Sequence, residues 1–127
     1  MVPAGLKYTK EHEWVKVEGD EALVGITDHA QSHLGDITFV ELPAVGKQVS
    51  QFKSFATVES VKAASDVYAP MSGKVISVNQ VLRDAPETIN RSPYGDGWIC
   101  RISVANKAET GSLMDGAAYE AYLKEAH

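Results

Sequence analysis

The stretch VESVKAASD, residues 58–66, decides the fold, because it predicts two strands joined by a turn that carries one lysine. Strand-like apolar residues lead into it from Phe55 and follow it to Ala69. If the two segments pair antiparallel, Lys62 lies at the tip of a hairpin with its amine in water. The turn contains neither Asn-Gly nor Asp-Gly, which mark the tightest hairpins. On local sequence alone, Lys62 is therefore an ordinary surface lysine.

Composition places the chain in the class of small globular domains. Its 127 residues are 44% hydrophobic and 23% charged, which is typical of one domain with a single small core. The formal net charge of -5 disfavours nucleic acid as a partner, because phosphate binding needs clustered Lys and Arg. No apolar run approaches the roughly 20 residues of a membrane span. The single Cys100 excludes an internal disulfide and fits a reducing compartment.

Alternating apolar residues and turn residues predict many short strands. We expect them at residues 6–8, 14–17, 21–26, 37–42, 55–58, 67–69, 74–78 and 98–104. Thr27 and Asp28 are two candidate N-caps of a short helix near residues 28–34. Residues 84–96, with two prolines, are predicted to be irregular. The tail is predicted to form short C-terminal helices, one of them capped by Asp115, that pack on the sheets as a lid.

A loose internal repeat lies on either side of the lysine. Residues 35–40, GDITFV, resemble residues 73–78, GKVISV, and residues 55–58 have a counterpart in residues 98–101. Such a repeat predicts two similar half-sheets related by a quasi-two-fold axis, with the connecting chain passing through Lys62. Together with the many short strands, it predicts a mainly β fold, a small β-sandwich.

Several ordered blocks of the sequence resemble one known family. Glu59-Ser60-Val61-Lys62-Ala63 is similar to the lipoylation motif of glycine cleavage system H proteins. Further blocks match that family in order: HEWV at 12–15, GITDHA at 25–30, LGD at 34–36, VELP at 40–43, AP at 69–70, SG at 72–73, VN at 78–79, and residues 90–98. The resemblance covers about residues 6–104, and the tail at about 106–127 is its least distinctive part.

The resemblance implies a single non-catalytic carrier domain over residues 1–127, with the barrel-sandwich hybrid fold of lipoyl and biotinyl domains and a lysine-bearing hairpin. In the family, the residue matching Lys62 carries (R)-lipoate as N6-lipoyllysine. That arm accepts the aminomethyl group left by glycine decarboxylation and delivers it to the aminomethyltransferase. Dihydrolipoamide dehydrogenase then reoxidises the arm. The residues that mark the lysine for modification are Glu59, Ser60, Val61 and Ala63.

The implied partners are the enzymes that load, unload and reoxidise the arm. They are glycine decarboxylase (P protein), the aminomethyltransferase (T protein), dihydrolipoamide dehydrogenase (L protein), and a lipoate ligase or lipoyl/octanoyl transferase. We expect no nucleic acid, no membrane and a monomer. The first residues predict no signal or transit peptide, so we expect a bacterial cytoplasmic protein or, for a processed chain, a mitochondrial matrix protein.

The resemblance also implies a cleft in which the loaded arm rests. The positions that match this cleft are Glu13, Ile26, His33, Leu34 and Asp66. Two of them have simpler interpretations: Glu13 as a solvated strand residue, and His33 as a cation favoured by the dipole at a helix C-terminus. Glu11 departs from the small polar residue expected beside the cleft, and it either crowds the amine or adds a second carboxylate.

Other kinds of chemistry find little support in the sequence. The four histidines lack metal-ligand spacing, and His29 and His33 have no Glu between them as in a zinc-protease helix, so we expect no metal site. Cys100 alternates within a strand and is expected to be a core residue. No catalytic residue is predicted.

Three alternatives to a glycine cleavage carrier remain open. A biotin-accepting domain shares the hairpin lysine, but that family has methionines where Val61 and Ala63 stand here. An H-like protein could relay lipoyl groups to other enzymes, and a plain interaction module would never be modified. Intact mass separates a lipoylated chain from an unmodified one.

Overall fold

The computed structural model describes residues 2–125, which form two antiparallel sheets with short helices. The strands are β1 Lys7–Tyr8, β2 Glu13–Glu18, β3 Glu21–Ile26, β4 Ile37–Glu41, β5 Gln48–Val49, β6 Ser54–Ser60, β7 Ala64–Tyr68, β8 Gly73–Val78 and β9 Cys100–Val104. The helices are α1 Asp28–Leu34, α2 Val81–Asp84, α3 Thr88–Arg91 and α4 Gly116–Lys124, with a 3-10 helix over Lys107–Ser112. None of the helices in this part of the chain is long and apolar enough to cross a membrane.

The two sheets share one hydrophobic core. One sheet has six strands in the order β1-β2-β3-β9-β8-β5, and the other has three in the order β4-β6-β7. Val24 of the first sheet and Val58 of the second belong to the same buried cluster, together with Cys100. The alternation in β8, where Val75 is buried and Lys74 is exposed, is the period-two pattern of a strand with one face on the core. The predicted mainly β sandwich is confirmed.

The helix predicted near residues 28–34 is present, and its ends follow from side-chain chemistry. Of the two candidate caps, Thr27 is the N-cap: its hydroxyl oxygen accepts a hydrogen bond from the Ala30 amide at 3.2 Å. Gly35 ends the helix with φ at +78°, a conformation that a residue without a Cβ adopts at little cost. The short loop that starts at Gly35 contacts the lysine hairpin.

The prediction that residues 84–96 are irregular is wrong in part. The helix α2 ends at Asp84, and α3 lies within the segment. Each is a single turn of four residues, and each turn is anchored by one buried apolar side chain, Leu82 in α2 and Ile89 in α3. One turn is too short to show helical periodicity in the sequence, and Pro86 between the two turns suggests a loop.

The strand pairings support the predicted internal repeat, with one copy in each sheet. The strand β4 pairs with β6, and the matching strand β8 pairs with β9. Each pairing contains a register shift, between Ile37 and Phe39 in β4 and between Val75 and Ser77 in β8. These positions correspond when residues 35–40 are aligned with residues 73–78. A bulge places an extra residue in one strand and bends it, so a shared bulge is a structural feature common to both copies.

The C-terminal helix α4 is present and is capped as the sequence predicts. The Asp115 carboxylate accepts a hydrogen bond from the Ala118 amide at 2.8 Å. Tyr119, fully buried, stacks on Tyr8 with ring centroids 4.6 Å apart, and its hydroxyl lies 2.8 Å from the Thr27 hydroxyl. These contacts bind the tail to β1 and to the start of α1.

Candidate functional site

The strands β6 and β7 form the predicted hairpin, with Lys62 in its turn. Glu59 pairs with Ala64, and the Ser60 amide donates to the Ala63 carbonyl at 2.8 Å. The turn therefore comprises residues 60–63. Lys62 is exposed, and the flanking Val61 is 69% exposed although it is apolar. The lysine is thus accessible to another protein.

The Ser60 side chain stabilises the turn in the absence of an Asn-Gly pair. Its hydroxyl oxygen accepts hydrogen bonds from the Lys62 and Ala63 amides, both at 3.2 Å. It is also 3.2 Å from the Ala63 carbonyl, to which it donates. Serine hydroxyls stabilise turns through such local bonds to the backbone. This role of Ser60 was the turn signal missing from the sequence argument.

The hairpin tip is docked on the loop that follows α1. The Val61 amide donates to the Asp36 carbonyl at 3.1 Å. The stem of Lys62 lies over Gly35, since a Cβ at Gly35 would stand 3.3 Å from the lysine Cε. A side chain at residue 35 would crowd the lysine stem, so glycine there serves both the helix end and this close approach.

A groove of about 290 Å³ lies beside the hairpin. The residues that line it are Glu11, His12, His29, Ala30, His33, Leu34 and Ser65. Two of the predicted cleft residues, His33 and Leu34, are among them. The histidine rings form a row, with centroids 4.4 Å apart for His12 and His29 and 4.3 Å apart for His29 and His33.

His12 and His29 also line the groove, and neither is among the cleft residues predicted from the sequence. The four-residue spacing of His29 and His33 on α1 places their rings side by side, and this spacing is the sequence signal for His29. His12 joins the row through a backbone with φ at +74°, which no sequence pattern indicates. Within residues 2–125, no cluster of three or more His, Cys, Asp or Glu side chains could hold a metal ion.

Glu13 lies beneath the surface, and the interpretation of it as a solvated strand residue is wrong. It is 1% exposed and accepts a hydrogen bond from the Thr9 hydroxyl. Its second carboxylate oxygen accepts from the Tyr68 amide at 3.1 Å. Burial is the main cause that raises the pKa of Glu13 from 4.5 to about 7, against the lowering effect of these hydrogen bonds.

The predicted cleft residues are distributed over two cavities and their surroundings. Glu13 lines a second cavity of about 450 Å³, whose other walls are Tyr8, Thr9, Lys10, Glu11, Phe52, Tyr68, Ser112 and Met114. Ile26 is buried opposite Glu13 in the β2–β3 pairing, and Asp66 is exposed on β7 and lines neither cavity. Glu11 lines both cavities.

The raised pKa of Glu13 predicts that stability falls as pH rises. Between about pH 5 and about pH 7 the folded chain holds a proton on Glu13 that the unfolded chain has released, so the free energy of unfolding decreases with pH. From about pH 5 to about pH 8, the free energy of unfolding should fall by on the order of 2 kcal/mol more in the wild type than in Glu13→Gln. Urea unfolding across that range measures the difference. If the free energy of unfolding changed with pH by the same amount in both proteins, the raised pKa of Glu13 would be contradicted.

Two packed sheets with an exposed lysine in the turn of a hairpin have the architecture of small lysine-bearing carrier domains. The groove of about 290 Å³ lies beside this hairpin.

A family model described as "Glycine cleavage H-protein" matches residues 6–126. The chain belongs to the glycine cleavage H-protein family. It is 56% identical to the glycine cleavage system H protein of Symbiobacterium thermophilum, over 98% of this chain and 97% of the relative. It is also 56% identical to the protein of that name from Photorhabdus laumondii, over 98% of this chain and 96% of the relative.

A solved structure gives the same result for the fold. The crystal structure of a glycine cleavage system H protein from Mycobacterium marinum matches with a TM-score of 0.90 at 38% sequence identity. The match covers 97% of this chain and 99% of that chain. The resemblance to this family that the sequence blocks indicated is confirmed, and the biotin-accepting alternative is set aside.

Proposed function

We propose that this chain is the lipoyl carrier of a glycine cleavage system, with (R)-lipoate attached to Lys62 as N6-lipoyllysine. The observation that carries the proposal is the position of Lys62, exposed at the tip of a hairpin whose turn is fixed by Ser60. A modifying enzyme can reach such an amine without unfolding the carrier. We propose Glu59, Val61 and Ala63, all exposed, as the residues by which that enzyme recognises the tip.

The groove beside the tip suits an amide-linked hydrocarbon arm. Acylation removes the charge of the lysine, so the arm can lie on protein without desolvating an ammonium group. The volume of about 290 Å³ is at the lower end of small-molecule sites, and Ala30 and Leu34 offer apolar contact. We propose that His33 and Leu34 contact the arm and that Glu13, Ile26 and Asp66, which do not line this groove, act from its surroundings.

When bound, the dithiolane of lipoate supplies the redox and group-carrying chemistry. The residues of the chain hold the lysine and orient the arm attached to it. Ser60 fixes the turn, and Gly35 lets the lysine stem lie close to the loop after α1. The exposed carboxylate of Glu11 would attract a cationic group that enters the groove. No step of the chemistry is assigned to the chain itself, so we propose a non-catalytic carrier.

The proposed partners act in turn on the same projecting lysine. They are glycine decarboxylase, the aminomethyltransferase, dihydrolipoamide dehydrogenase, and a lipoate ligase or lipoyl/octanoyl transferase. An exposed lysine in a hairpin turn allows successive enzymes to reach the same side chain. We propose that the chain works as a monomeric single domain in the bacterial cytoplasm.

Exchange of the glycine carboxyl group with bicarbonate tests the role in glycine cleavage. With purified glycine decarboxylase, the lipoylated chain should support exchange of labelled bicarbonate, and the unlipoylated chain should support at least a hundredfold less, as expected when the reacting group is missing. The unmodified chain is the matched control. Absence of exchange, together with transfer of the lipoyl group to another acceptor protein, would support the relay alternative and contradict the proposal.

A further inference from the structure

Asn90, in the single-turn helix α3, binds the loop on which the hairpin tip rests. Its side-chain nitrogen donates to the Gln31 side-chain oxygen and to the Gly35 carbonyl, both at 2.9 Å. Its side-chain oxygen accepts from the Ile37 amide at 2.9 Å. Two acceptors facing the nitrogen and one donor facing the oxygen fix the orientation of the amide, since reversal would break all three bonds.

Residues 35–37, which we call the platform, are thus held by Asn90 on one side and contact the hairpin tip on the other. The platform contributes the Asp36 carbonyl that accepts from Val61 at 3.1 Å. It also contributes Gly35, over which the stem of Lys62 lies. One side chain therefore connects α1 and α3 with the surface that receives the lysine.

The helix that carries Asn90 is itself anchored in the core. Ile89, the preceding residue, is fully buried and belongs to the core cluster of both sheets. Asn90 therefore acts from a fixed main chain. Loss of its side chain would leave the Ile37 amide and the Gly35 carbonyl without these partners, at the point where the platform leaves α1.

We propose that Asn90 is a positioning residue for the modification of Lys62. It fixes the platform, and the platform holds the hairpin tip in the conformation that the modifying enzyme binds. This inference rests on the proposed function, since it concerns the attachment of lipoate. The three side-chain hydrogen bonds of Asn90 go to Gln31, Gly35 and Ile37, so Asn90 would act on the lysine through the platform.

The modification needs the lysine nitrogen in one place. A lipoate ligase makes lipoyl adenylate from lipoate and ATP and releases pyrophosphate. The Lys62 ammonium releases one proton to solvent, and the resulting amine attacks the carbonyl carbon of the adenylate. The new C–N bond forms, the nitrogen loses a second proton to solvent, the bond from the carbonyl carbon to the phosphate oxygen breaks, and AMP leaves with the electron pair. A hairpin tip that is mobile in the free carrier must become ordered when the enzyme binds. The free-energy cost of this ordering weakens binding, so it raises KM more than it lowers kcat.

Kinetics of lipoylation test the proposal directly. With a lipoate ligase, lipoate and ATP, Asn90→Ala should raise the KM for the carrier about fivefold and leave kcat within about twofold. Hydrogen exchange of the Val61 amide, which bonds to the platform, should become at least about tenfold faster. Exchange of the Val15 amide, in the sheet remote from the tip, should accelerate less.

Asn79 provides a matched control. Its side-chain nitrogen also donates to two carbonyls, those of Asp96 at 2.7 Å and Trp98 at 2.8 Å, and neither acceptor belongs to the platform. Asn79→Ala should destabilise the fold and keep the wild-type KM and the wild-type Val61 exchange. All variants are compared at a temperature where circular dichroism finds them folded. If Asn90→Ala does not fold, Gln31→Ala, which removes one of the three bonds, should shift both measurements in the same direction.

Three results would overturn the inference. They are a wild-type KM in Asn90→Ala, a raised KM with unchanged Val61 exchange, and an equal rise in KM in Asn79→Ala. The last would mean that any loss of stability impairs modification. Failure of the proposed function is distinct, because the wild-type chain itself would then stay unlipoylated or, once lipoylated, would not support glycine–bicarbonate exchange.

Discussion

Replacement of Lys62 by alanine should abolish lipoylation and carriage in glycine–bicarbonate exchange, and leave the fold intact. The side chain is exposed and lies outside the core, with its stem over Gly35, so its loss should change the free energy of unfolding by no more than about 0.5 kcal/mol. Activity should fall to the level of the unlipoylated wild type, because an alanine offers no amine for acylation. Intact mass, exchange and urea unfolding measure the three quantities.

Two further variants make this prediction specific. Lys62→Arg keeps a positive charge at the tip and should be as inactive as the alanine variant, because the guanidinium does not accept the acyl group. Lys74→Ala removes another exposed lysine, on β8, and should keep full lipoylation. A fall in unfolding free energy of about 2 kcal/mol or more in Lys62→Ala would mean that the lysine is structural, contrary to its position at the tip.

The largest effect on stability is expected from Gly73→Ala. Gly73 is buried at the start of β8 and pairs with Val104 of β9 and Val49 of β5. A Cβ there would overlap the Ser103 carbonyl oxygen and stand 3.0 Å from its carbonyl carbon. Both neighbours are main-chain atoms inside a sheet, so relief requires strands to separate. We expect the free energy of unfolding, measured with urea, to fall by about 3 kcal/mol or more.

Gly111→Ala is the control for this substitution. Gly111 lies in the 3-10 helix, where a Cβ would meet nothing within 4 Å, and its backbone is not left-handed. Its free energy of unfolding should stay within about 0.5 kcal/mol of the wild type. A loss below about 1 kcal/mol for Gly73→Ala would contradict the close pairing of β8 and β9 at this position.

The parts of the fold that the sequence predicts are those encoded by neighbouring residues. The hairpin follows from apolar segments on both sides of residues 58–66, and α1 follows from Thr27 at one end and Gly35 at the other. The turn at the tip was weakly encoded because Ser60 replaces the usual turn pair, and α2 and α3 were hidden because one helical turn has no periodicity. Their positions depend on burial in a core that distant strands complete.

The candidate site was harder to predict because it depends on long-range contacts. The burial of Glu13 results from partners on two other segments, Thr9 and Tyr68, and the strand sequence EWVKVE at 13–18 does not distinguish a buried glutamate from a solvated one. Asn90 is one of several polar residues in its segment. Its contact with the platform exists only after α3 packs beside α1.

The most direct test of the account is tandem mass spectrometry after lipoylation. The purified chain is incubated with a lipoate ligase, lipoate and ATP, digested, and each of its nine lysines is examined for a lipoyl group. The account predicts one lipoyl group per chain, on Lys62. A chain that stays unmodified, or one that is modified at other lysines while Lys62 stays free, would contradict it.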